Sequence, residues 1–204
     1  MRRLDPGLVA VDPDGGTKSI AIKGLDVLDL NSNTSCSGVV DHGAMEIEVV
    51  IEIPKGTRNK YEIDEETGAV WLDRMLFTAT RYPEDYGFIP FTLAEDGDAL
   101  DAVVMLDEGT FPGCHIRARP IGLFCMRDEK GRDAKVLCVP ATDPRVAGVG
   151  DLADVPQHEL DEIGHFFDIY KSLEPGKQSE VEGWQDRAAA ESEITEAARR
   201  FEAG

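Results

Sequence analysis

Three aspartates stand in the run Asp96-Gly97-Asp98-Ala99-Leu100-Asp101, and a second acidic run, Asp128, Glu129 and Asp133, follows with Lys135 beside it. Carboxylates crowded into a short loop repel one another and cannot all stay ionised unless a positive charge joins them. Hard divalent cations such as Mg²⁺ take oxygen ligands and meet that demand. Arginines and lysines beside such ions point to an anionic substrate, because they clamp phosphate oxygens while the metal neutralises the rest. The chemistry these residues suit is metal-dependent phosphoryl chemistry.

Each residue also has a plainer reading. Asp96 and Asp98, two apart, project to one side of an extended backbone, Gly97 lets the chain turn between them, and Asp101 sits at the mouth of an apolar strand. A solvated acidic turn entering a strand accounts for the same run. An EF-hand fits poorly, since Asp101 stands where that loop needs glycine. The second run lies between two expected strands and reads alone as a charged hairpin tip. Together, two acidic loops at strand ends can converge on one set of ions. Lys60 and Glu62 share a strand face, Glu52 lies on the polar side of its strand, and Arg74 follows another; each reads equally as an exposed charge. Tyr82-Pro83-Glu84-Asp85-Tyr86-Gly87-Phe88 reads as a turn whose phenols cover the core or donate to phosphate. Tyr170-Lys171 ends a helix, where a cation meets the helix dipole or a ligand. His42, His115, His158 and His165 show no metal spacing.

The elements that must position these residues follow from periodicity. From Met45 on, Ile47, Val49, Ile51 and Ile53 alternate with Glu46, Glu48 and Glu52, which predicts a strand and the start of the globular domain. Further strands are predicted at 60–64, 70–72, 102–106, 115–126 and 135–140, separated by proline and glycine. Several short strands at regular spacing suggest a small barrel. After Pro156, Leu160, Ile163, Phe166 or Phe167 and Tyr170 recur at helical spacing, and a second helix is predicted over 186–202. Residues 1–44, rich in Gly, Asp, Ser and Asn, lack a sustained period and read as a disordered extension ahead of a domain at 45–204.

Composition narrows the function classes. With 21 basic against 40 acidic residues, the formal charge of −19 repels nucleic acid and anionic lipid over most of the surface. A local positive site made of bound cations, Lys and Arg remains compatible with that charge. Cys36, Cys114, Cys125 and Cys138 show no zinc-finger spacing and read as idle thiols of a reducing cytoplasm. No apolar run approaches membrane-spanning length.

The residues become recognisable together. Val50-Ile51-Glu52-Ile53-Pro54, Lys60-Tyr61-Glu62-Ile63-Asp64, Asp73-Arg74, Tyr82-Pro83 with Tyr86-Gly87, the Asp96 to Asp101 run, Asp128-Glu129 through Lys135, and His165-Phe166-Phe167 with Tyr170-Lys171 resemble the family I soluble inorganic pyrophosphatases in order and spacing. The resemblance covers roughly residues 46–202. Ala99 departs from the Pro or Glu usual in that family, and residues 1–44 have no counterpart in the usual bacterial pattern. It implies an α+β, mainly β fold: a five-stranded OB-like closed barrel with two C-terminal helices packed outside. It further implies hydrolysis of pyrophosphate to two phosphates with several Mg²⁺ ions, Mn²⁺ being an alternative, in a cytoplasmic homohexamer. By the same resemblance Asp96, Asp101 and Asp133 hold a first ion, Asp101 shares a second, and Asp128 with Asp133 binds a third that arrives with substrate. Glu52 and Glu62 complete the outer metal shell, while Lys60, Arg74, Tyr86, Lys135, Tyr170 and Lys171 grip phosphate. Asp98 is the expected proton acceptor from a metal-activated water attacking in line, with Asp133 the alternative.

Overall fold

The computed structural model describes residues 45–64 and 67–204. The expected extension at 1–44 lies outside the described residues. Within them the chain is mainly β, with eight strands and two α-helices.

Strand β1 (Ile47–Ile53) starts where the alternation predicts, and Ile47, Val49 and Ile51 are buried while Glu48 is exposed. Val50 and Glu52, on the side expected to be polar, are buried as well, because this strand is covered on both faces. The hairpin of β2 (Asn59–Ile63) and β3 (Val70–Met75) forms a small sheet of its own. The main sheet contains β4 (Asp85–Ile89), β5 (Leu100–Val104), β6 (His115–Asp128), β7 (Gly131–Pro140) and β8 (Ser179–Gln185) besides β1. Strand β1 pairs with β4 and β6, β4 with β5, β5 in parallel with β7, and β7 with β6, so these strands pair in a ring. Strand β8 joins the C-terminal half of β6. The ring has five strands, and β8 brings the main sheet to six.

Two strands escape the sequence pattern. Strand β4 falls where the segment at 82–88 read as a turn, since Pro83 and Gly87 look like turn residues, yet Gly87 sits inside the β1–β4 pairing opposite Ile51. Strand β8 is polar and carries Gly183 at φ +117°, which hides any alternation.

The strand faces divide between two apolar clusters. One joins residues from all five ring strands, such as Val49, Ile89, Ala102, Leu123 and Val136, to Ala190, Ile194 and Ala197 of helix α2 (Arg187–Ala203). The other joins Ile53, Val103, Phe124 and Leu137 to Leu160, Ile163, Phe166 and Phe167 of helix α1 (Gln157–Ile169). A bulge in β6 between Pro120 and Gly122 shifts its parity, so that Ala118 and then Leu123 and Cys125 all reach the first cluster. Asp186 caps α2 by accepting from Ala189 N at 3.0 Å. Among the described residues, no helix is long and apolar enough to cross a membrane.

Gly87 sets the distance between β1 and β4. A Cβ there would lie 1.9 Å from the carbonyl oxygen of Val50 and 2.8 Å from Ile51 Cα, both backbone atoms that cannot rotate away. The Gly87→Ala protein is therefore expected to lose about 1–3 kcal/mol of stability from overpacking, measured by urea denaturation. An unchanged midpoint would mean that the strands separate without cost.

Candidate active site

A cleft of about 590 Å³ opens beside the ring, walled by the β2–β3 hairpin, the loop before β5, the β6–β7 turn and the C-terminal end of α1. Every residue assigned by resemblance to cations, phosphate or the proton lines it: Glu52, Lys60, Glu62, Arg74, Tyr86, Asp96, Asp98, Asp101, Asp128, Asp133, Lys135, Tyr170 and Lys171. Tyr82, whose phenol reads two ways in the sequence, covers the core and is 2% exposed.

The parallel pairing of β5 and β7 sets Asp101 opposite Lys135, and Asp133, two residues from Lys135, shares its face of β7. The Lys135 side chain, 2% exposed, donates to Asp101 Oδ2 and Asp133 Oδ1, each at 2.7 Å. Its ammonium also lies 5.4 Å from the Tyr86 ring centre and 5.3 Å from that of Phe167. Burial pulls the Lys135 pKa down, but the two carboxylates outweigh it and hold the pKa well above that of an ordinary lysine. For Asp101 burial is the largest influence, and with Asp133 it pushes the carboxyl up against the pull of Lys135. The Tyr86 hydroxyl, one expected phosphate donor, here donates to Asp101 Oδ2.

The acidic loop is a turn rather than extended chain. Gly97 adopts φ +94°, and Asp98 N donates to Asp96 Oδ1 at 3.2 Å. Lys130, at the tip of the β6–β7 hairpin, donates to Asp98 Oδ2 at 2.7 Å and lies 3.9 Å from Asp96 Oδ2. On the hairpin itself Asp128 Oδ2 accepts from Lys171 Nζ at 2.7 Å and its Oδ1 from Lys130 N at 2.7 Å. Burial opposes ionisation of Asp128, yet these donors hold it below the usual carboxylate range.

On the facing wall Lys60 bonds Glu62, and burial lowers its pKa from the ordinary value. Glu52 Oε1 accepts from Ile63 N at 2.8 Å, tying β1 to the end of β2. Arg74 is gripped by Glu174, whose Oε1 lies 3.1 Å from Nε and whose Oε2 lies 3.0 Å from Nη2. Behind the cleft, Tyr82, Tyr86, Phe166, Phe167 and Tyr170 pack with ring centres between 4.7 Å and 6.1 Å apart.

Sequence reasoning missed Glu174, Lys130, Lys177 and Glu193, all of which line the cleft or hold residues that do. Glu174 gives no local signal, because its partner Arg74 lies 100 residues away. Lys130 and Lys177 were findable, since Lys130 belongs to the charged turn and Lys177 follows the helix that carries Lys171. Among the described residues, no three carboxylate, imidazole or thiol side chains stand together as a ready-made cation cage. Ammonium groups stand between the carboxylates instead.

The family model described as inorganic pyrophosphatase matches residues 49–202. The chain belongs to the inorganic pyrophosphatase family. It is similar to the inorganic pyrophosphatase of Streptomyces coelicolor, with 59% identity over 77% of this chain and 96% of that protein. With the inorganic pyrophosphatase of Methanosarcina acetivorans it shares 54% identity over 75% of this chain and 90% of the relative. The crystal structure of the Thermus thermophilus inorganic pyrophosphatase superposes with a TM-score of 0.75 at 48% identity, covering 77% of this chain and 91% of that one. That of Helicobacter pylori gives 0.76 at 41%, covering 77% and 94%. Membership of the inorganic pyrophosphatases thus rests on most of the described residues.

Removing Lys135 leaves two carboxylates facing each other in a secluded site. Lys135→Met is expected to cost about 3–5 kcal/mol in denaturant unfolding, the range for breaking a buried pair. A loss below about 1 kcal/mol, the scale of a surface pair, would show that the carboxylates stand without the ammonium.

Proposed function

We propose that this chain hydrolyses inorganic pyrophosphate to two phosphates with divalent cations, Mg²⁺ first and Mn²⁺ as an alternative. The observation that carries the reading is the meeting of both acidic loops with Lys60, Arg74, Lys135 and Lys171 around one cleft. A small, highly anionic substrate needs cations on every side, and a chain of net charge −19 can offer them only locally.

In this reading Asp96, Asp101 and Asp133 hold a first cation, Asp101 shares a second, and Asp128 with Asp133 holds a third that comes with substrate. Glu52 and Glu62 complete the outer shell. The donor set supports this, because each residue offers carboxylate oxygen, which suits Mg²⁺ or Mn²⁺. When bound, such cations neutralise phosphate oxygens and make water a stronger nucleophile at neutral pH.

Asp98 receives the proton of the attacking water. Its side chain is 68% exposed and its partner, Lys130, is 53% exposed, whereas Asp133, the alternative acceptor, is 15% exposed and bound to Lys135. A general base must be within reach of the water it deprotonates, which favours Asp98. Lys60, Arg74, Tyr86, Lys135, Tyr170 and Lys171 grip phosphate oxygens and stabilise the charge that grows on the leaving phosphate. Glu174 keeps Arg74 in place for that purpose.

We read the ring of strands as an OB-like closed barrel and the assembly as a cytoplasmic homohexamer with neither nucleic acid nor membrane as partner. Trp71, 64% exposed, and Leu72, Met75 and Phe77 beside it offer copies of the chain an apolar surface to bury. Residues 45–204 form the catalytic domain in this reading, and 1–44 are dispensable. The family match from residue 49 supports that boundary. A chain beginning at Met45 is expected to keep its fold and turnover, and loss of either overturns the boundary.

The main test is phosphate release from pyrophosphate across a Mg²⁺ titration, run beside ATP. Mg²⁺-dependent release from pyrophosphate far exceeding that from ATP is expected, and Asp98→Asn should lower kcat by about 10²–10⁴-fold while still taking up Mg²⁺. A folded sample that releases no phosphate at any Mg²⁺ or Mn²⁺ concentration refutes the reading.

A further inference from the structure

Strand β7 turns successive side chains to opposite sides. Asp133 and Lys135 face the cleft, whereas Arg132 and Ala134 turn toward α2, and Ala134 packs in the cluster that holds Ala190, Ile194 and Ala197. Arg132 Nη1 donates to Glu193 Oε2 of α2 at 2.8 Å and to Glu95 Oε1 at 3.2 Å. From the other side, Arg200 Nη2 donates to Glu193 Oε1 at 2.8 Å, and Arg200 Nε donates to the carbonyl oxygen of Leu93 at 2.7 Å. Leu93 N in turn donates to Ala197 O at 3.0 Å. These contacts leave the acidic loop at Leu93, pass through Arg200, Glu193 and Arg132, and return to the same loop at Glu95, next to Asp96.

Glu193 is an odd residue for its place. Its side chain is 8% exposed, on a helix face otherwise made of Ala190, Ile194, Ala197 and Ala198. A carboxylate there is costly unless both its oxygens are paired, and each has an arginine. None of the ligands assigned above contacts it directly; its partner Arg132 neighbours Asp133 in β7, and Arg132 and Arg200 hold the loop that carries Asp96 and Asp98.

We propose that Glu193 is a positioning residue for cation binding, fixing the spacing between the acidic loop with Asp96 and Asp101 and the strand with Asp133. The inference deepens the proposed function and rests on its reading of those aspartates as cation ligands. Groups that orient metal ligands without touching the metal commonly change affinity by about 10–100-fold when lost.

Isothermal titration calorimetry of Mg²⁺ uptake by the full chain without substrate tests this, with circular dichroism to establish the folded state. Glu193→Gln and Arg132→Gln are each expected to weaken Mg²⁺ binding about tenfold or more, and the double variant to fall short of the product of the two effects, since the residues share one contact. If Glu193→Gln fails to fold, Arg132→Gln decides, the Arg132 side chain being 25% exposed. Affinities of folded variants within about twofold of the parent's overturn the inference whatever their stability, because a residue serving only the fold leaves the folded site intact. A parent chain that takes up no Mg²⁺ refutes the cation reading and the inference together, whereas a binding parent with unaffected variants refutes the inference alone.

Discussion

One ammonium ion, sealed between two carboxylates, sets the terms for the rest of the cleft. Lys135 reaches Asp101 on one strand and Asp133 on its own, so the β5–β7 pairing and the electrostatics of the site are a single arrangement. Taking three charged groups out of water is tolerable only when each is matched in position and hydrogen-bonded. The surrounding structure supplies that match. Tyr86 donates to Asp101 from β4, Phe167 covers the ammonium from α1, and Gly87 lets β4 lie close enough to β1 for Tyr86 to take its place. The aromatic wall excludes water behind the charges, which strengthens every interaction in front of it.

Much of this was legible in the sequence because local rules govern it. The alternation from Ile47, the acidic loop at a strand mouth, the charged turn between β6 and β7, and the amphipathic α1 each follow from spacing within a few residues. The cleft gathers all the expected carboxylates and cations because they cluster at strand ends and turns that the fold brings to one side. What stayed hidden depends on distant partners. Glu174 and Arg74 are 100 positions apart, Glu193 and Arg132 are 61 apart, and neither glutamate differs from an ordinary surface residue until its partner is known. Strand β4 was concealed by chemistry of its own, since the glycine that permits close strand approach is the residue that elsewhere signals a turn.

Most of the cleft carboxylates meet a cation already present in the chain. Lys130 serves the acidic loop, Lys135 the strand pair, Lys171 and Lys177 the hairpin. The charges are therefore balanced locally although the molecule as a whole is strongly acidic. Their mobility differs in a useful way. Lys130 and Lys177 are exposed and can swing aside, while Lys135 is locked, so the periphery of the site can rearrange around a ligand while its floor stays fixed.

The parallel pairing of Asp101 with Lys135 joins residues 34 apart, and the ring also needs Ile47 beside Ala118. Contacts between distant segments form late, because the chain must give up the freedom of the intervening loop before they can reward it. The floor of the cleft therefore exists only once the segment between Asp101 and Lys135, 34 positions apart, has been closed. Until the ring closes, the acidic loop and the hairpin lack the β5–β7 pairing that sets them against each other. A ligand of the cleft then stabilises the finished fold selectively over chains in which the ring is open.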